Sequence, residues 1–192
     1  MRKKYDVWII TLITIMTLAL ATGRGLTETN FSALGSRGGR RILFLVWGAL
    51  VGSLTYLGVA DTADCAGCDD GMLELLLTLS LAGFLCGLGL PYRPRLTPRI
   101  ARLHVGLSMG SVICLVLSIC RLLSLLERRY GNVFRAQKLL LALLQIPAVL
   151  LYLYAGIISS LLEIYAILGG WLYLGGMRRK IEKLGLSKDG NM

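Results

Sequence analysis

The chain has 192 residues and 32 formal charges, 21 from Lys and Arg and 11 from Asp and Glu, which gives a net charge of +10. Hydrophobic residues make up 55% of the sequence, and the mean hydropathy is +0.68. The core of a soluble domain cannot enclose so large an apolar fraction, and disordered chains have the opposite composition. The composition therefore indicates an integral membrane protein and excludes a small disulfide scaffold.

Charge-free stretches predict where the chain crosses the membrane. Four of them have 17 to 19 residues, close to the roughly 20 that a spanning helix needs. The longer stretch 139–177 contains one charge, Glu163, and as a single helix it would be about 58 Å long, nearly twice the hydrocarbon core. We expect it to form two spans with a turn near 154–160. The prediction is an all-α, polytopic membrane bundle in one domain, 1–192, with six transmembrane helices, or alternatively five, at about 7–23, 42–60, 72–90, 103–121, 139–157 and 160–177.

Basic residues at positions 2–4 precede the first span and predict a cytoplasmic N-terminus in the cell membrane. The alternative is a secretory signal cleaved near Ala19-Leu20-Ala21. Counting Lys and Arg in the loops does not decide orientation, because the five-span alternative, with its N-terminus outside, scores as well as the six-span one. The excess positive charge suits anionic lipid headgroups, so membrane lipids are the expected partners. Nucleic acid is not expected, since the basic residues are scattered over short loops.

Pairs of glycines four residues apart occur in three predicted spans: Gly48/Gly52, Gly83/Gly87 and Gly106/Gly110. Small residues at this spacing let helix backbones approach closely in lipid. We expect these faces to pack inside the bundle. The alternative is an interface with a second copy of the chain or with another membrane protein.

The first loop, residues 24–41, mixes charged, amide, hydroxyl and apolar side chains, as ligand-binding loops often do. Phe31 and Leu34 could fold back as a short interfacial helix, capped by Thr29 or Asn30 and ended by Gly35. Glu163 is the lone carboxylate of the last apolar stretch, and its expected partner is Arg24, Arg37 or Arg40. The predicted ligand-binding residues are therefore Arg24, Glu28, Asn30, Ser32, Arg37 and Glu163.

Three further patterns have weaker chemical meaning. Arg93, Arg95 and Arg99 lie in a proline-rich loop that could bind lipid phosphate or could be a solvated linker. Cys65 and Cys68 have the spacing of a metal or redox pair, but a zinc site needs four ligands and no second pair exists, so a solvated loop is favoured and no cofactor is predicted. His104, the single histidine, is expected to cap the start of the fourth span. No Gly-x-Ser-x-Gly elbow accompanies it.

The pattern Glu28-x-x-x-Ser32-x-Leu34-Gly35, followed by Leu43-Phe44 and Trp47-Gly48, resembles a domain-of-unknown-function family. Its members are small six-span prokaryotic membrane proteins distantly akin to the Frag/DRAM/Sfk group. The resemblance covers residues 23–48 and implies six helices, an inside N-terminus and a characteristic outer loop, but no established activity.

The expected function is binding of a lipid or small ligand, or association with another membrane protein. A small secondary transporter or channel subunit is the first alternative, although few charges lie within the spans and no inverted repeat is evident. A membrane-embedded enzyme is the second alternative. It ranks below the transporter because the sequence pattern brings no acid–base pair to one depth.

Overall fold

The computed structural model describes residues 2–21, 25–36 and 38–185, and within these ranges the chain forms helices and no strand. The prediction of an all-α bundle is confirmed. Two short 3-10 turns, Gly38–Arg40 and Gly131–Phe134, precede α3 and α6. The α-helices are α1 (Arg2–Ala21), α2 (Phe31–Gly35), α3 (Arg41–Cys65), α4 (Gly71–Gly89), α5 (Pro98–Tyr130), α6 (Arg135–Ala155) and α7 (Ser160–Lys183).

Four helical stretches in the described part of the chain are long and apolar enough to cross a membrane. They are α3, α4, α7 and the 58-residue stretch Pro98–Ala155. This last stretch comprises α5, a 3-10 turn and α6, and it turns at Gly131, whose φ of +67° lies in the left-handed region that glycine tolerates best. In α1 the apolar part, Trp8–Ala21, is shorter than the other four stretches.

Side-chain contacts show that consecutive long helices run in opposite directions. On one side of the bundle, Ser80 of α4 donates to the carbonyl of Ser111 of α5 over 2.9 Å, and further along α4 the Gly87 carbonyl accepts from His104, which precedes Ser111 on α5. On the other side, the Tyr165 and Tyr173 hydroxyls of α7 donate to the carbonyls of Leu144 and Gln137 of α6. All connections therefore lie at two ends of the bundle. We call the end that contains α2 the cap end, and the end that contains residues 66–70 the acidic-loop end.

Two of the three glycine pairs pack inside the bundle, as predicted. A Cβ at Gly48 would lie 2.5 Å from Cδ1 of Leu88, and one at Gly87 would lie 2.9 Å from Oγ of Ser108. The prediction is wrong for the third pair. Gly106 and Gly110 have no atom of the described structure within 4 Å of such a Cβ, because this face of α5 points out of the bundle.

The acidic-loop end is held by charged groups from α5 and α7. Asp70 caps α4 by accepting from the amide of Leu73, and it also pairs with Arg121, whose Nη2 lies 2.6 Å from Oδ2. The Arg121 guanidinium lowers the pKa of Asp70 to about 2, so the pair stays charged at physiological pH. Asp61 forms an ion pair with Arg178, which links the end of α3 to α7.

Candidate functional site

Helix α2 is folded into the cap end rather than lying free on its surface. Phe31 and Leu34 are buried, and the Phe31 ring meets the edge of Trp47 with 5.0 Å between ring centroids. The Asn30 side chain accepts from the Ala33 amide over 2.7 Å and so caps the helix. The prediction of a short helix that begins after Asn30 and ends at Gly35 is confirmed.

Glu163 joins α7 to the start of α2. Its carboxylate accepts a hydrogen bond from the Phe31 amide over 2.7 Å. Next to it, the Ser160 amide and hydroxyl both donate to the Thr29 carbonyl, over 2.6 and 3.0 Å. The structure thus gives Glu163 a backbone amide as a partner, because the first loop turns its helix N-terminus towards α7. Two of the arginines expected to pair with it, Arg24 and Arg37, lie outside the described residues.

His104 links α2, α4 and α5, and it does not cap α5. Helix α5 already begins at Pro98, so the predicted capping role is wrong. His104 is buried, with Nδ1 2.8 Å from the Gly87 carbonyl and Nε2 2.9 Å from the Ser32 hydroxyl. A carbonyl can only accept, which assigns the proton to Nδ1 and leaves Nε2 to accept from Ser32.

The basic loop 91–99 lies beside this network at the cap end. The Tyr92 amide donates to the Ser36 hydroxyl over 3.0 Å, and Arg93 donates to the Ser36 carbonyl over 3.4 Å. Arg95 and Arg99 are exposed, as is Glu28 of the first loop. Arg24 and Arg37, predicted to bind a ligand, lie outside the described residues. The structure thus brings Asn30, Ser32 and Glu163 together and leaves Glu28 at the surface.

A cavity of about 250 Å³ lies deeper in the bundle, between α3, α4 and α5 on one side and α6 and α7 on the other. Its wall is mainly aliphatic and aromatic. The side chains on the wall that carry a polar atom are Thr55, Tyr56, Ser80, Ser111, Gln145, Tyr165, Trp171 and Tyr173.

The cavity exists because α6 packs loosely. None of the residues of α6 is buried, and its side-chain hydrogen bonds in the described structure run mainly to α7. Pro147 also interrupts the helical hydrogen bonding of α6. On α5, Val112 lines the cavity and is half exposed. The gap between α5 and α6 therefore faces the surroundings of the bundle.

The cysteine pair is placed at the acidic-loop end, away from both of these features. Cys65 is buried and Cys68 is half-buried. Burial raises the pKa of Cys68, with a smaller contribution from Asp70 and an opposing one from Arg129. Within the described ranges, no three His, Cys, Asp or Glu side chains cluster closely enough to hold a metal ion.

Sequence reasoning missed the pairing of Ser32 with His104 and missed the cavity. The two residues are 72 positions apart, and no local spacing connects them. A usable signal was the single histidine in an otherwise apolar span, since such a group needs partners on neighbouring helices. The cavity depends on how tightly α6 packs, which no residue pattern reveals.

In comparisons with known proteins, no family model, curated protein or solved structure matches the chain.

Replacing Glu163 tests whether its carboxylate holds α2. Glu163→Ala leaves the Phe31 amide without its acceptor, so we expect the free energy of unfolding to fall by about 1–3 kcal/mol. Glu28→Ala is the matched control, because Glu28 is exposed in the same loop. Unfolding of the purified protein in detergent measures both, and equal stability of the two variants would contradict this role.

Proposed function

We propose that this chain is a multi-pass membrane protein that binds a lipophilic ligand in the cavity between α3–α5 and α6–α7. The observation that carries the proposal is the cavity itself, about 250 Å³ with a mainly apolar wall. Ligand pockets usually have volumes of about 300–1,000 Å³, and an apolar cavity of about 150 Å³ already binds benzene. The cavity is therefore large enough for a small lipophile or part of a lipid chain.

The route of entry supports a ligand that comes from the bilayer. At the cap end, α2 is held by Glu163, His104 and Trp47, so a soluble ligand that entered past α2 would have to displace it. Between α5 and α6 the wall is open and apolar. A molecule dissolved among the lipid chains can enter there without crossing a polar layer.

Filling the cavity should abolish this binding. Gly170 lines the cavity and has nothing in the described structure within 4 Å of an added Cβ. Gly170→Leu therefore places a side chain in the empty space, and we expect affinity to fall roughly tenfold or more. The probe is a fatty acid with a nitroxide at mid-chain, whose saturable quenching of tryptophan fluorescence is measured in the Trp8→Phe background.

The control is Gly176→Leu on the same helix. Gly176 also has open space around it within the described residues, but it does not line the cavity. Its quenching curve should match that of the unmodified chain. Saturable quenching that survives Gly170→Leu, or that is absent from the unmodified chain, would refute binding in this cavity.

For topology, the proposal is six membrane crossings in the cell membrane with a cytoplasmic N-terminus. It is supported by the opposed directions of consecutive long helices and by the basic residues at positions 2–4. Membrane lipids are then the surrounding partner, and Arg93, Arg95 and Arg99 at the cap end would face the outer headgroups.

Side-specific thiol labelling in intact cells tests this topology. In a cysteine-free background, Arg95→Cys at the cap end should react with an impermeant maleimide from outside. Asp69→Cys at the acidic-loop end should react only after the cells are permeabilised, and both positions are exposed in the structure. The reverse result would overturn the orientation, and labelling of both positions from one side would overturn the single membrane crossing by α4 that separates them.

A membrane-embedded acyl hydrolase is a second candidate function, favoured by the Ser32–His104 pair. Its 2.9 Å separation is that of a nucleophile and its general base, and the Gly87 carbonyl orients the base as a third group would. Ser32 would attack an ester carbonyl and pass its proton through His104 to the departing alcohol. Water would then release the acyl group from Ser32.

A fluorophosphonate probe tests the reactivity of this serine. Under the hydrolase hypothesis the purified chain is labelled, and labelling is lost in Ser32→Ala and in His104→Gln. Ser36→Ala is the control in the same segment and should be labelled as the unmodified chain is. A folded, unlabelled chain would exclude the hydrolase and leave the hydrogen bond with a structural role.

Association with a second copy or with another membrane protein belongs to the same proposal. The outward face of Gly106 and Gly110 supports it, since no described residue of the chain covers that face. Kinship with the six-span family is likewise proposed on the motif at Glu28, Ser32 and Leu34-Gly35 alone.

A further inference from the structure

Two neighbouring rows of exposed side chains mark the start of α5 at the cap end. The basic row is Arg95, Arg99 and Arg102, and the apolar row is Leu96, Ile100 and Leu103. Every member is exposed, and Leu96 is 74% exposed. The last two members of each row are three residues apart on α5, which places them on one side of the helix about one turn apart. Guanidinium groups and aliphatic side chains are therefore presented next to each other.

The charge of the basic row is not neutralised within the part of the chain that the structure describes. Its three arginines form no ion pair there, and the acidic residues described at the cap end are Glu28 and the buried Glu163. At the acidic-loop end, by contrast, Arg121, Lys138 and Arg178 are each paired with a carboxylate. The basic row thus leaves a local excess of positive charge on the surface of the cap end.

The type of cation at the cap end points to phosphate. Every Lys or Arg described at this end is an arginine, whereas the lysines of α6 and α7 lie at the acidic-loop end. The planar guanidinium group can donate two parallel hydrogen bonds to a phosphate, while an ammonium group acts as a point charge. A surface made of arginines alone is therefore suited to bind a phosphate group directly.

A fixed turn carries the first member of each row. The Leu96 and Thr97 amides both donate to the Arg93 carbonyl, over 3.1 and 2.8 Å. The Tyr92 amide donates to the Ser36 hydroxyl, which fastens the turn to the segment that follows α2. A preorganised segment loses less conformational entropy on binding than a flexible one. Of the two interpretations of this loop, the geometry favours a lipid-binding surface over a solvated linker.

In the proposed membrane-spanning arrangement the two rows lie where headgroups meet acyl chains. Residues 103–120 of α5 contain no Asp, Glu, Lys or Arg. At 1.5 Å per residue they extend about 27 Å, close to the thickness of the hydrocarbon core. Arg102 precedes this stretch and Leu103 begins it, so the arginines can reach lipid phosphates while Leu103 meets the outermost acyl carbons.

We propose that the basic and apolar rows bind an anionic phospholipid, with its phosphate on the arginines and the upper part of an acyl chain against the apolar row. This inference rests on the proposed membrane-spanning arrangement and adds the class of lipid. It does not depend on the cavity, because no member of either row lines it. A zwitterionic phospholipid also has a phosphate, but its ammonium group would face an unopposed positive surface. The site therefore selects a headgroup with net negative charge.

A second copy of the chain fits the start of α5 less well than a lipid does. An isologous contact presents the same surface patch from both copies. It would bring two basic rows together, and the described residues supply no acidic side chain between them. A lipid phosphate provides the negative charge that such a contact lacks.

The test compares phosphatidylglycerol with phosphatidylcholine of identical acyl chains. Each lipid is titrated onto the full chain in detergent micelles, and bound lipids are counted by native mass spectrometry. We expect phosphatidylglycerol to bind roughly fivefold or more tightly than phosphatidylcholine. In the triple variant Arg95→Gln, Arg99→Gln and Arg102→Gln the ratio should fall to about one. Soluble glycerol 3-phosphate at the same concentration should not displace the lipid; displacement would identify free phosphate as the ligand and overturn the inference.

The matched control neutralises three exposed arginines at the acidic-loop end, Arg128→Gln, Arg135→Gln and Arg179→Gln. This variant has the same net charge as the first triple variant, and it should keep the preference for phosphatidylglycerol.

Three outcomes would overturn this inference while leaving ligand binding in the cavity intact: no preference in the unmodified chain, equal loss in the two triple variants, or dimers that replace the bound lipid. Gly170→Leu separates the two proposals, because it fills the cavity and should leave the preference unchanged. Loss of the preference in Gly170→Leu would place the phospholipid in the cavity instead and overturn this inference alone.

Discussion

The hydrogen bond between the Glu163 carboxylate and the Phe31 amide determines how the rest of the cap end is arranged. A helix N-terminus presents backbone amides without intrahelical partners, and the burial of Phe31 leaves its amide little access to water. The Glu163 side chain on α7 satisfies one of them by accepting from the Phe31 amide. With α2 fixed at this point, Phe31 reaches Trp47 of α3 and Ser32 reaches His104 of α5. One acidic residue thereby connects α7, through a five-residue helix, to two helices on the other side of the bundle.

Close packing at the cap end contrasts with loose packing around α6, and small residues explain the difference. At Gly35 an added Cβ would lie 2.3 Å from Cγ of Phe44, and at Gly48 it would lie 2.5 Å from Cδ1 of Leu88. These glycines allow large side chains to pack directly against a neighbouring backbone. Gly169 and Gly170 of α7 face α6 without a comparably close side chain to fill the space. The same residue type therefore produces tight contact in one half of the bundle and a cavity in the other.

The sequence predicts those features that depend on composition and on neighbouring residues. Scarcity of charge indicates the helices, and Asn30 followed by an apolar turn and Gly35 predicts α2. The hydrogen bond from the Phe31 amide to Glu163 cannot be predicted in this way, because a backbone amide leaves no signature in a side-chain pattern. His104 was assigned to a helix start because its partners, Ser32 and the Gly87 carbonyl, come from two other segments of the chain. The sequence therefore predicts contacts within one segment of the chain, but it does not predict contacts that only the tertiary arrangement creates.

The hydrogen bonds that hold α2 at the cap end also favour ligand binding over transport. Alternating access would have to open the cap end in every cycle, which means releasing α2 from Glu163 and His104 and separating Thr29 from Ser160. Each of these groups would then need another partner in a region that offers little water, so the open state would be costly. Lateral exchange between α5 and α6 leaves these bonds intact, because α6 buries no residue. The ion pair that joins α6 to α5, Lys138–Glu127, lies close to the turn between the two helices and need not break. The difference in cost between opening the cap end and separating α5 from α6 therefore supports the proposal of a fixed cap and a cavity whose ligand exchanges laterally with the bilayer.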